Sequence, residues 1–97
     1  MSESKYIIDI MFNFIDCTCK ILLTNTPDMP IADETLLFSN VGNTSVRWYH
    51  EPKGDSLGDF NGVTELQVNE NRKEYSFDTG DCLVKFEALA VYEHKKL

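Results

Sequence analysis

The chain has 97 residues, 42% of them hydrophobic and 11% aromatic, which fits a single domain spanning 1–97 with one modest core. Its 16 Asp and Glu residues outnumber its 9 Lys and Arg residues, giving a net charge of −7, and its bases form no cluster. Direct binding to nucleic acid or to an anionic membrane is therefore not expected, because both require clustered Lys and Arg.

The first apolar stretch, MSESKYIIDIMFNFIDCTCKILL, is interrupted by the polar residues Asp9, Asn13, Asp16 and Lys20. This spacing fits neither a membrane-spanning helix nor the core of a signal peptide, so we expect a cytoplasmic protein.

Within 6–23, apolar and polar side chains alternate, with one apolar face formed by Ile8, Ile10, Phe12 and Phe14. The alternation predicts two strands or one long bent strand, while a partly helical segment is the alternative.

Three cysteines, an odd number, argue against a disulfide framework. Cys17 and Cys19 lie two residues apart, so on a strand they share one face, where we expect them to be small buried apolar residues. A zinc site would need about four ligands, and the sequence offers no such set. No metal or other cofactor is predicted.

After the breaker segment 24–33, the segments TLLFSNV and SVRWYHE read as two strands joined by a hairpin turn at GNT. Four further strand segments follow, namely GVTELQVNE, KEYSFDT, CLVKFEA and LAVYEH, with turns expected at 69–72 and at DTGD. The sequence therefore predicts an all-β fold with little or no helix: an antiparallel sandwich or partly open barrel of about seven to eight strands.

The segment EPKGDSLGDFNG, residues 51–62, combines three acids with three glycines. It lacks the first and last ligands of an EF-hand loop, and its glycine spacing and acids do not fit a phosphate-binding loop. We therefore interpret it as a polar loop that either contacts a partner or only connects two strands.

No catalytic residue is predicted, and we do not expect an enzyme, because neither histidine is accompanied by a recognisable nucleophile or acid. His94 is expected to be solvated in a terminal tail, and His50 follows Arg47, Trp48 and Tyr49. These three are residue types enriched in interfaces, although Trp48 is expected to fill the core.

Five short segments together resemble small β-rich bacterial immunity proteins, such as those of contact-dependent growth inhibition systems: LLFSNV, VRWYH, NGVTEL, YSFDTGDCLVKFEA and LAVYE. The resemblance covers about the last two thirds of the chain. It implies a non-catalytic inhibitor of a toxin, and cationic nucleases are frequent among such toxins.

Under this resemblance the acidic surface binds basic residues of the toxin, with a set of partner-binding residues formed by His50, Glu51, Asp55, Asp59, Asp78 and Asp81. The alternatives are a phage-type acidic inhibitor of a nucleic-acid enzyme and a β-barrel that binds a small ligand. The oligomeric state stays open, because an uncovered edge strand can pair across a two-fold axis.

Overall fold

The computed structural model describes residues 5–28, 31–51 and 57–97, which contain nine strands and no helix. The strands are β1 (Lys5–Asn13), β2 (Thr18–Thr24), β3 (Glu34–Ser39), β4 (Gly42–Trp48), β5 (Gly58–Phe60), β6 (Thr64–Gln67), β7 (Arg72–Asp78), β8 (Cys82–Leu89) and β9 (Glu93–Lys96). The predicted all-β antiparallel fold is confirmed, but the described residues form nine strands rather than seven to eight.

Two antiparallel sheets enclose the core. The first sheet has the strand order β5-β1-β2-β3-β9 and the second has the order β4-β8-β7-β6. Each sheet contains a meander of consecutive strands, β1-β2-β3 in the first and β6-β7-β8 in the second. The chain passes from one sheet to the other four times: between β3 and β4, between β4 and β5, between β5 and β6, and between β8 and β9. The two sheets pack face to face as a sandwich.

Residues 6–23 form two strands, β1 and β2, so the helical alternative is wrong for this segment. A β-bulge at Ile8 changes the phase of β1, because Ile7 pairs with Leu23 whereas Asp9 pairs with Leu22. Ile7, Ile10 and Phe12 consequently share the core-facing side. Phe14 and Ile15 lie in the connecting turn and are 91% and 93% exposed, so the expected place of Phe14 on the apolar strand face is wrong.

The predicted hairpin around GNT is wrong, because β3 and β4 belong to different sheets. The chain crosses between the sheets at Asn40, whose φ is 59°, and the Val41 N–H donates to the Cys17 carbonyl at 2.8 Å. GNT itself lies within β4, where a bulge between Gly42 and Ser45 interrupts the pairing with β8. Polar residues with left-handed backbone thus mark a crossing and a bulge rather than a hairpin turn.

Two strands differ from the segments predicted for them. β5 forms inside the segment 51–62, which was expected to be a loop throughout. The segment LAVYEH is not one strand: Leu89 ends β8, and β9 begins at Glu93 and pairs with β3 in the other sheet. The predicted turns at 69–72 and DTGD are confirmed, since each joins two paired neighbouring strands.

The core is built from alternate residues of the inner strands. It comprises Ile7, Cys19, Ile21, Leu23, Leu36, Phe38, Tyr75, Phe77, Cys82, Val84, Phe86 and Ala88. The Phe38 ring lies at its centre, with ring centroids of Tyr75, Phe86 and Tyr92 at 4.6–4.9 Å. Cys19 is buried as expected, but Cys17 is exposed in the β1–β2 turn with a φ of 55°, so the two cysteines do not share a buried face.

A buried carboxylate connects three strands of the first sheet. Glu34 of β3 accepts from Lys5 Nζ at 2.8 Å, and its other oxygen lies 2.9 Å from His94 Nε2. The expectation of a simply solvated His94 is therefore wrong, because β9 carries this histidine to the β3 carboxylate.

None of the residues that the structure describes belongs to a helix long and apolar enough to span a bilayer.

Candidate protein-binding site

The tight turn between β7 and β8 fixes two of the predicted binding carboxylates, Asp78 and Asp81. Asp78 Oδ1 accepts from the Gly80 N–H at 2.7 Å, and Gly80 has a φ of 90°. The buried Thr79 hydroxyl accepts from the N–H groups of Asp81 and Cys82 at 3.2 and 3.1 Å. Side chains therefore satisfy the backbone donors of the turn and hold it in one conformation.

Asp59 lies beside the same turn. Its N–H donates to the Thr79 carbonyl at 2.9 Å, although Asp59 belongs to β5 of the other sheet. Its carboxylate is so close to Gly80 that a Cβ added there would meet Asp59 Oδ2 at 3.2 Å. Asp59 therefore lies with Asp78 and Asp81 at one end of the sandwich, although it is distant from both in sequence.

The end of β4 is tied to this turn by two side-chain contacts. Tyr49 OH donates to Asp78 Oδ2 at 2.6 Å, and His50 Nε2 lies 2.9 Å from Asp81 Oδ1. The second ring nitrogen of His50 contacts the Glu51 carbonyl at 2.8 Å. His50 and Tyr49 are therefore positioned by the acids of the turn, while both residues stay exposed.

We call Glu51, Asp59, Asp78 and Asp81 the acidic end. Glu51 is exposed beyond β4, and the remaining predicted binding residue, Asp55, lies outside the described residues. The hydrogen bond from Tyr49 lowers the pKa of Asp78 and raises the pKa of Tyr49, so Asp78 stays ionised. Among the described residues, no hydrogen bond or ion pair engages the side chains of Glu51 and Asp59.

An apolar groove, which we call the β1–β4 groove, adjoins the acidic end. It is an open groove between the two sheets with a volume of about 450 Å³. The apolar part of its lining comes mainly from β1, β4 and β8 and includes Ile10, Phe12, Val46, Trp48 and Val84. Two acids, Asp9 and Asp81, also line it, so that the groove and the acidic end share a border.

Trp48 lies in the wall of this groove and is 48% exposed, so the expectation that it fills the core is wrong. The physical reason is the position of β4 at the edge of the second sheet, where Val46 and Trp48 face the gap beside β1. Alternation along a strand predicts which side chains share a face, but not whether another strand covers that face. Sequence reasoning for this reason missed the groove.

A histidine that acts as the base of a nucleophilic enzyme hydrogen-bonds to a Ser, Thr or Cys side chain. His50 bonds Asp81 and the Glu51 carbonyl, and His94 bonds Glu34; among the described residues neither ring hydrogen-bonds to a Ser, Thr or Cys side chain. Cys82 is buried, with its sulfur 3.3 Å from the Thr79 hydroxyl. Within the described part of the chain, no three His, Cys, Asp or Glu side chains are grouped so as to hold a metal ion.

Comparisons with known proteins establish similarity of fold alone. No family model matches the chain, and no curated protein matches it. The chain is similar to the crystal structure of an uncharacterized protein from Neisseria gonorrhoeae, with a TM-score of 0.69 and 18% sequence identity. The alignment covers 100% of this chain and 95% of that one, so the two share their architecture over nearly their full lengths.

Proposed function

We propose that the chain is a binding protein for a basic protein partner, and that it acts in the cytoplasm as an immunity protein that neutralises a bacterial toxin. One observation carries this proposal: Asp59, Asp78 and Asp81 converge from both sheets at one end of the sandwich. The exposed Tyr49 donates its hydroxyl to Asp78, and the exposed Trp48 lines the same groove as Asp81. Acidic groups beside exposed aromatic residues are suited to a partner with Lys and Arg side chains.

The four acids have different roles in this proposal. Glu51 and Asp59, which have no partner among the described residues, pair with bases of the toxin and steer its approach. Asp78 and Asp81 instead hold Tyr49 and His50 in place, because their carboxylates already contact these side chains. The partner then meets a preorganised surface, which lowers the entropy that binding costs.

A cationic nuclease is the class of toxin that fits this surface best. A nuclease needs basic residues to bind phosphates, and an acidic protein that covers those residues excludes the nucleic acid. Interfaces of stable complexes bury about 1,200 to 2,000 Å² in total, which one end of a sandwich of this size can supply.

The test begins with capture by the tagged protein from a lysate of the source organism, at low and at high salt. We expect a basic toxin domain whose nuclease activity, measured with the purified domain, is lost at a one-to-one ratio. The decisive variant is Glu51→Lys with Asp59→Lys, which we expect to slow association about tenfold or more at low salt.

Glu70→Lys with Glu93→Lys is the matched control, since it makes the same charge change at exposed residues away from the acidic end. Glu70 lies in the β6–β7 turn, and Glu93 lies on β9 at the opposite edge of the first sheet. Equal slowing by both double variants would mean that only net charge matters and would refute the assigned site. Absence of any captured partner whose activity is blocked would refute the proposed function.

A further inference from the structure

The β1–β4 groove lies between two strand edges that are open within the described part of the chain. β5 pairs with β1 only from Lys5 to Ile7, so the edge of β1 from Asp9 onward has no neighbour there. β4 pairs with β8 on one side, and none of the described strands pairs with its other side. Such edges present backbone N–H and C=O groups to an incoming extended segment.

The apolar side chains of the groove repeat at intervals of two residues. Ile10 and Phe12 face it from β1, and Val46 and Trp48 face it from β4. On each strand the two side chains are about 6.6–6.8 Å apart, because a strand rises 3.3–3.4 Å per residue. An extended peptide presents its residues i and i+2 on one face at this same spacing, so two such side chains fit along the groove.

Acidic groups lie on both sides of this groove. Asp9 lines it from β1, Asp81 lines it from the β7–β8 turn, and Asp59 lies beside Gly80 of that turn. A second copy of the chain, with its net charge of −7, would bring like charges together at these positions. A segment carrying Lys or Arg beside its apolar residues complements them.

We propose that the β1–β4 groove binds an extended segment of the partner, in which alternate apolar side chains contact Val46 and Trp48 and a flanking Lys or Arg meets Asp9. This inference rests on the proposed function and extends it. The acidic end supplies long-range attraction, and the groove supplies the desolvated contacts that slow dissociation. Trp48, at the border of the two, contacts the bound segment directly.

Random twelve-residue peptides displayed on phage provide a probe that needs no knowledge of the partner. Trp48 is the single tryptophan, so its fluorescence reports on binding in the groove. The peptides are selected on the wild type and then measured against Val46→Glu. Ser45→Glu is the matched control, because Ser45 is the exposed neighbour on the opposite face of β4 and introduces the same charge.

We expect selected peptides to alternate apolar residues with at least one Lys or Arg and to shift the Trp48 emission. Their affinity should fall at least tenfold for Val46→Glu, because a carboxylate would then replace an apolar contact, and should change less than threefold for Ser45→Glu. Thermal unfolding of both variants identifies a loss of fold, and Val46→Thr then replaces Val46→Glu as the milder groove variant.

Three results would overturn the inference. They are selection of no peptide, selection of peptides that bind Val46→Glu as well as the wild type, and a wild-type dimer that Val46→Glu converts to monomers. In the last case a second copy occupies the groove. If any of these occurs while a captured toxin still responds to Glu51→Lys with Asp59→Lys, the groove assignment fails alone. If the toxin capture fails too, so does the proposed function.

Discussion

Replacement of Glu34 by Gln tests whether the buried carboxylate stabilises the first sheet through its charge. The Glu34 side chain is only 6% exposed and contacts Lys5 Nζ at 2.8 Å and His94 Nε2 at 2.9 Å. Gln keeps the shape and one oxygen but removes the negative charge that both partners face. This one side chain joins β1, β3 and β9, so the loss of its charge affects three strands.

The magnitude follows from the two contacts and their exposure. A hydrogen bond to a charged group contributes about 1.5–3 kcal/mol, but Lys5 is 33% and His94 is 44% exposed, so solvent screens both interactions. We therefore expect Glu34→Gln to lower the free energy of unfolding by about 1–3 kcal/mol at pH 7. For a domain of this size each kcal/mol lowers Tm by about 4–8 °C.

The effect should depend on pH with a definite sign. The hydrogen bond from Lys5, with that from His94, lowers the pKa of Glu34 below its ordinary value of 4.5 despite burial. The carboxylate therefore contributes stability that is fully present above pH 4.5 and is lost as the pH falls through the lower pKa of the folded state. The difference between wild type and Glu34→Gln should accordingly shrink in acid.

The assay is urea unfolding of both proteins at pH 7 and at pH 3, followed by far-UV circular dichroism. Glu93→Gln is the matched control, because Glu93 is an exposed β9 carboxylate that loses the same charge. The reasoning would be refuted if Glu34→Gln were as stable as wild type at pH 7. A loss of equal size in Glu93→Gln, or a difference that did not shrink at pH 3, would also contradict it.

Three other predictions concern the turn, the cysteines and the core. Gly80→Ala should cost about 1–2 kcal/mol in urea unfolding, because Gly80 has a φ of 90° and its new Cβ would lie 3.2 Å from Asp59 Oδ2; unchanged stability would contradict the turn geometry. Iodoacetamide should modify the native chain at Cys17, which is exposed, and spare Cys19, whose burial raises its pKa to about 12; peptide mass spectrometry checks this, and equal labelling of both would refute it. Phe38→Ala should destabilise the domain by about 3–5 kcal/mol, because the ring contacts three other aromatic rings in the core; calorimetry measures the loss, and one below about 1 kcal/mol would mean that the core collapses around the gap.

Several parts of the fold follow from local sequence. The alternation in CLVKFEA predicts a strand with one buried face, and Cys82, Val84, Phe86 and Ala88 of β8 are buried. The glycine and polar residues of DTGD predict the turn that joins β7 and β8. These features depend on the steric preferences of neighbouring residues, which are already present in the isolated chain.

The β-bulge at Ile8 could not be predicted from the local sequence. Simple alternation places Ile8 with Ile10 and Phe12, whereas the bulge substitutes Ile7 on the core face. Whether a strand contains an extra residue depends on its partner strand, here β2, and is decided when the two strands pair. The crossing at Asn40 was mistaken for a hairpin for the same reason, since a turn sequence does not specify which sheet the next strand joins.

The all-β class, most of the strands and the acidic character of the chain follow from its residues alone. Three features of the site could be found only in the folded molecule: the contact of Asp59 with the β7–β8 turn, the contacts of Asp78 and Asp81 with Tyr49 and His50, and the place of Trp48 in an open groove. Strand pairing and sheet packing create these features, because they bring together residues far apart in the chain. Their contacts depend on the whole set of pairings rather than on any short segment.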